Sequence, residues 1–157
     1  MANAKILEGK KVLIVDDEPD VLEALEETLD MCEIDTSTEY EKANQLLNSK
    51  SYDLAVLDIM GVNGYDLLAV ADRKGIPAGM LTAHALSANN FAKSMDEGAC
   101  AYLPKDRLFE IDVFLTDVLE DGGKNIGLLG KWFDRLKGYY DNKFGPGWLD
   151  EYKGAWH

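Results

Sequence analysis

Apolar positions in this chain fall into two patterns that take turns. Lys11–Val15, Leu54–Leu57, Ala78–Leu81 and Ala101–Leu103 are short, nearly continuous apolar runs. Such runs mark parallel strands covered on both faces. Between them apolar residues recur at helical spacing. Val21, Leu22, Leu25 and Leu29 share one face, with Glu23, Glu26, Glu27 and Asp30 on the other, and Pro19 opens that helix. A weaker strand is expected at Glu33–Thr36. A helix from about Glu39 to Asn48 follows, with Ala43, Leu46 and Leu47 inward. Asn63-Gly64 breaks the chain before a helix carrying Leu67, Leu68, Val70 and Ala71, which Gly75 closes. Ser87 or Asn89 caps a helix with Phe91, Ala92 and Met95, ended by Gly98. Leu108, Ile111, Val113, Phe114, Leu115 and Val118 form one more.

Five β-α units in succession imply a parallel sheet with helices on both faces, a three-layer α/β sandwich. Periodicity alone does not give the strand order. The residues just past the runs carry the candidate chemistry. Asp16 and Asp17 follow the first, Asp58 the second of the long runs, Thr82 the next and Lys105 the last. Parallel strands bring all of them to one carboxyl edge, where open α/β sheets bind ligands. Clustered carboxylates with one lysine and one hydroxyl suit a magnesium-dependent phosphoryl acceptor. An aspartate is ionised at neutral pH and needs no base to attack phosphorus. Neighbouring carboxylates repel one another, and Mg²⁺ relieves this by bridging carboxylate and phosphate oxygens.

Charged residues at 29% and apolar residues at 46% fit a water-soluble globular domain. The net charge of −13 argues against direct nucleic-acid binding. No apolar stretch reaches the roughly 20 residues of a membrane helix, and the N-terminus lacks a signal-peptide core, so a cytoplasmic protein is expected. Cys32 and Cys100 have no metal-ligand spacing and read as small apolar fillers.

Val15-Asp16-Asp17-Glu18, Leu57-Asp58-Ile59-Met60, Leu81-Thr82-Ala83 and Tyr102-Leu103-Pro104-Lys105, in this order, resemble the receiver domain of two-component response regulators across roughly residues 10–121. The resemblance implies a flavodoxin-like sheet of order 2-1-3-4-5. It implies phosphorylation of Asp58 by a histidine kinase or phosphotransfer protein. Asp17 would ligate Mg²⁺ directly, Asp16 through water, and Asp58 and the Met60 backbone carbonyl would complete the protein ligands. Lys105 would pair with Asp58 and then with the phosphoryl group. Thr82 and Tyr102 would form the switch that alters affinity for an output protein. The domain would assist its own phosphorylation and dephosphorylation without being an enzyme in the turnover sense.

The chain departs from the family pattern twice. Asp58-Ile59-Met60-Gly61-Val62-Asn63-Gly64 is shorter than usual and lacks a proline. Pro104 precedes Lys105 instead of following it, so the family's cis peptide has no place there. Two other readings remain: a degenerate receiver that binds partners without phosphorylation, and an aspartyl-phosphate phosphohydrolase. The latter needs a second aspartate two residues after the nucleophile, where Met60 stands. His84, two past Thr82, reads as a surface histidine.

Composition changes at Asp121-Gly122-Gly123. Residues 122–157 are slightly basic and hold all three tryptophans. The division expected is a receiver at 1–121 and an aromatic helical extension at 122–157. Leu128, Leu129, Trp132, Phe133, Leu136, Tyr139 and Tyr140 recur at helical spacing up to Gly145-Pro146-Gly147, and Trp148, Tyr152 and Trp156 form a second cluster. Packing on its own domain or on a second copy, as a homodimer, is the plainest expectation. Partner docking and a membrane-surface helix are alternatives.

Overall fold

The computed structural model describes residues 4–84 and 86–150. Five parallel strands, β1 (Lys11–Val15), β2 (Glu33–Ser37), β3 (Leu54–Asp58), β4 (Ala78–Thr82) and β5 (Ala101–Pro104), lie in the order β2-β1-β3-β4-β5. The order expected from the resemblance is the order found. Helices α1 (Pro19–Thr28), α2 (Tyr40–Ser49), α3 (Gly64–Arg73), α4 (Ala88–Asp96) and α5 (Ile111–Glu120) follow the strands in turn, and α6 (Lys131–Phe144) comes after them.

The local signals act as their chemistry requires. Every residue of β3 and β4 is buried, which is why those strands read as unbroken apolar runs. Pro19 occupies the first turn of α1, where no N–H is needed. Ser87 caps α4 by accepting from the Asn90 backbone N–H at 3.1 Å. Gly75 takes a positive φ just past α3.

The last β-α connection differs from expectation. Lys105–Glu110 is a 3-10 turn, and Arg107 has non-helical backbone angles, so α5 starts at Ile111 and excludes Leu108. Phe109 in this turn is 80% exposed. A second 3-10 turn, Gly127–Leu129, precedes α6 and leaves Leu129 in solvent, outside the buried face its spacing suggested.

One apolar core runs through the described residues, and it includes Trp132, Phe133, Leu136, Tyr140 and Trp148 from the chain beyond α5. Helix α6 therefore packs on its own domain. Tyr152 and Trp156 lie outside the described residues. No helix among the described residues is long and apolar enough to cross a membrane.

Candidate functional site

Strand register brings the candidate residues to one edge. Val15 pairs with Leu57, Leu57 with Met80 and Met80 with Tyr102, so the four strands end nearly level. The next residues along are Asp16 and Asp58. Thr82 pairs with Pro104, and Lys105 follows it directly.

Lys105 lies at the centre of the cluster. Its Nζ stands 2.9 Å from Asp16 Oδ2, 2.8 Å from Glu18 Oε1 and 3.3 Å from Asp58 Oδ1. Proline ahead of the lysine does not keep it out of the pocket: Pro104 ends β5 in an extended conformation, all peptide bonds described are trans, and the side chain reaches inward. Asp16 is fully buried and Asp58 is 5% exposed, whereas the Glu18 side chain stays about half in solvent.

Burial pushes the Asp58 carboxyl up to about 7, with the Asp16 charge adding to the effect and Lys105 opposing it. Asp16 is also raised, by burial first, against the pull of Lys105 and the Glu18 backbone N–H, which donates to its Oδ1 at 2.9 Å. For Lys105 burial works against the ammonium, but Glu18, Asp16 and Asp58 overcome it and hold its pKa above the ordinary lysine value. Glu18 is lowered by its hydrogen bond to Lys105.

The donor set fits a hard divalent cation. Carboxylate oxygens of Asp16, Asp17 and Glu18 come within 4.8 Å of one another. Asp16 Oδ2 is buried, and the Lys105 ammonium at 2.9 Å, poorly aligned for a hydrogen bond, is the partner the structure gives it. An oxygen in that state gains from a metal ion or a metal-bound water. The shortened loop after Asp58 folds tightly over the same place. Gly61, at φ +87°, backs onto the Asp17 carboxylate, and Gly64 backs onto the Asp58 carbonyl, with no space for a Cβ at either. Met60, beside Gly61, turns its side chain outward.

Thr82 is buried at the end of β4. Tyr102 is fully buried on β5, and its hydroxyl accepts from the Ser87 N–H at 3.1 Å. Its ring meets Phe91 edge-on, with centroids 5.4 Å apart. His84 is exposed.

Two relationships escaped the sequence. Glu18 shares Lys105, although an exposed acid beside Asp16-Asp17 carries no mark of that role. Tyr139 on α6 donates to Asp106 Oδ2 at 2.7 Å, one residue from Lys105. Only a hydroxyl-bearing residue on the α6 face hinted at it.

Comparison with known proteins gives the family and the fold. The sequence model of the response regulator receiver domain matches residues 12–117. A two-component response regulator of Arabidopsis thaliana, ARR18, is 36% identical over 103 residues, covering 62% of this chain and 16% of that protein. The match thus spans a small part of a much longer relative. The receiver domain protein (CheY-like) from Methanospirillum hungatei JF-1 superposes with a TM-score of 0.60 at 25% identity, over 73% of this chain and 98% of that one. The response regulator DrrB of Thermotoga maritima shares the fold with a TM-score of 0.63 at 24% identity, over 74% of this chain and 55% of that one. On the strength of the sequence match over most of its length and of the shared sheet, this chain belongs to the response regulator receiver domain family.

Proposed function

We propose that this protein accepts a phosphoryl group on Asp58 from a phosphohistidine donor, with Mg²⁺, and that the modification changes its affinity for a partner. The observation that carries the reading is the buried Asp16–Lys105–Asp58 cluster, in which one cation serves two carboxylates at the carboxyl edge of the sheet. Asp58 Oδ attacks phosphorus as the P–N bond of the donor breaks. The imidazole leaves with the bonding electron pair and takes a proton from solvent. Asp16, Asp17, Asp58 and the Met60 carbonyl would hold the metal, which when bound offsets the charge gathering on the phosphoryl oxygens. Lys105 then moves from its carboxylate partners toward a phosphoryl oxygen, and the Thr82 hydroxyl donates to another. Movement of Thr82 changes the space beside Tyr102 on the next strand, which shifts the population of the face formed by α4, β5 and α5.

In this reading residues 1–121 act as the receiver and 122–157 as its extension, in the cytoplasm, with a histidine kinase or phosphotransfer protein upstream and an output protein downstream. The chain turns over no substrate beyond its own phosphoryl group. Incubation with acetyl phosphate and Mg²⁺ followed by intact-mass measurement tests it. One phosphate gained, and lost in Asp58→Ala, supports the reading. No gain under any metal or donor condition favours a receiver that works without phosphorylation.

A further inference from the structure

Helix α6 covers the α4–β5–α5 face. Phe91 of α4 lies at its centre, with ring centroids 5.4 Å from Tyr102, 5.4 Å from Tyr140 and 5.2 Å from Trp148. Arg135 of α6 grips Asp117 of α5 through two N–H groups, at 2.6 and 3.2 Å, and Asp117 is otherwise buried. The Asn125 side chain donates to the Met95 carbonyl at the end of α4. These contacts would hold a helix on any surface. Two others do more. The Tyr140 hydroxyl donates to the backbone carbonyl of Tyr102, and the Tyr139 hydroxyl donates to Asp106 at 2.7 Å. Consecutive residues of α6 thus hold both ends of the segment Tyr102–Asp106, and Lys105 lies inside it.

We propose that α6 is a tethered occupant of the α4–β5–α5 face, held there by the unphosphorylated position of Tyr102–Asp106 and loosened when Asp58 is phosphorylated. The inference rests on Asp58 being the phosphoryl acceptor. Docking of α6 and phosphorylation oppose each other through geometry. The contacts of Tyr139 and Tyr140 fit the segment as it lies with Lys105 shared among Asp16, Glu18 and Asp58. A phosphoryl group draws Lys105 toward itself and Asp106 moves with it through one peptide unit. Any shift of Tyr102 displaces both the carbonyl that Tyr140 holds and the ring beneath α6. Each change costs α6 a contact that the present arrangement satisfies. Linkage makes the effect reciprocal, so a docked α6 also disfavours the phosphorylated site. The same aromatic face becomes open to a partner only when α6 leaves it.

The test uses the full chain with Mg²⁺ and acetyl phosphate. Intact mass gives phosphate occupancy at each time point, and amide exchange is read over residues 131–144. At high occupancy the account expects exchange in α6 to rise roughly tenfold, within the usual range of allosteric coupling, while β1 and β3 stay protected. In Tyr139→Phe, which keeps the ring and removes the hydroxyl, the ratio of phosphorylated to unphosphorylated exchange falls toward one at the same occupancy. Full occupancy with unchanged exchange in α6 overturns the inference and leaves the phosphoacceptor reading standing. An undiminished ratio in Tyr139→Phe overturns the link through Asp106. Absence of phosphate on the chain removes the phosphoacceptor reading, and this inference with it.

Discussion

Lys105 stands closer to Glu18, at 2.8 Å, than to the carboxylate it is proposed to serve. The exposed glutamate and the buried aspartates compete for one ammonium. Because Glu18 is half in solvent, its hold is weak, in the range of surface ion pairs. Glu18→Gln is therefore expected to change the rate of phosphorylation by acetyl phosphate by about fivefold or less. Lys105→Met removes the cation that faces the transferred group and should lower that rate by roughly a hundredfold or more. Initial rates from intact mass for the two variants check the ranking; equal losses would contradict it.

Asp58 titrates in a range that a simple measurement can reach. Burial and the Asp16 charge push its folded pKa up to about 7, above the ordinary aspartate value of about 3.9. The folded metal-free protein therefore binds more protons than the unfolded chain between those values. The stability linked to this group is full below about pH 4 and is lost as pH rises toward 7. Mg²⁺ competes with the same proton, so its affinity should increase from pH 6 to pH 8. Urea midpoints with and without Mg²⁺ across that range check both signs. A metal affinity independent of pH would contradict the placement of Asp58 among the ligands.

Gly61 and Gly64 lie too close to Asp17 and to the Asp58 backbone to carry a side chain. Gly61→Ala sets a methyl group against Asp17 at a φ of +87° and should weaken Mg²⁺ binding while leaving the fold intact. Gly64→Ala would set its Cβ against the Asp58 carbonyl oxygen, an overlap that the backbone must shift to relieve, and should cost about 1–3 kcal/mol of stability, the usual range for overpacking. Metal titration by calorimetry and denaturant unfolding distinguish the two. Equal metal affinity in Gly61→Ala and wild type would contradict the contact.

The aromatic packing of α6 carries its own energetic expectation. Phe91→Ala empties the centre of a cluster with Tyr102, Tyr140 and Trp148 and should destabilise the protein by about 3–5 kcal/mol. Tyr140→Phe leaves the Tyr102 carbonyl without this donor, a loss of about 1 kcal/mol. Thermal unfolding of both variants, followed by tryptophan fluorescence, gives the comparison.

Much of the fold was legible because burial on both faces writes β3 and β4 as continuous apolar runs, with Asp58 and Thr82 at their ends. The gathering of Asp16, Asp58 and Lys105 follows from parallel register, which alternation of strand and helix already implied. The start of α5 was not legible. Leu108 continues the apolar spacing, and the backbone angles of Arg107 and Glu110 interrupt the helix there. The docking of α6 was legible as an amphipathic helix but not as a location, since a pattern of Trp, Phe and Tyr says how much apolar surface seeks cover and nothing of where. Glu18 and Asp106 gave no signal because exposed acids are common and their partners come from distant parts of the chain.

Borohydride reduction after treatment with acetyl phosphate and Mg²⁺ tests the central claim most directly, since it converts an aspartyl phosphate to homoserine that peptide sequencing can place. The account predicts homoserine at position 58 and at neither 16 nor 17. An unmodified residue 58 in protein that has gained phosphate, or homoserine at one of the paired aspartates, would contradict it.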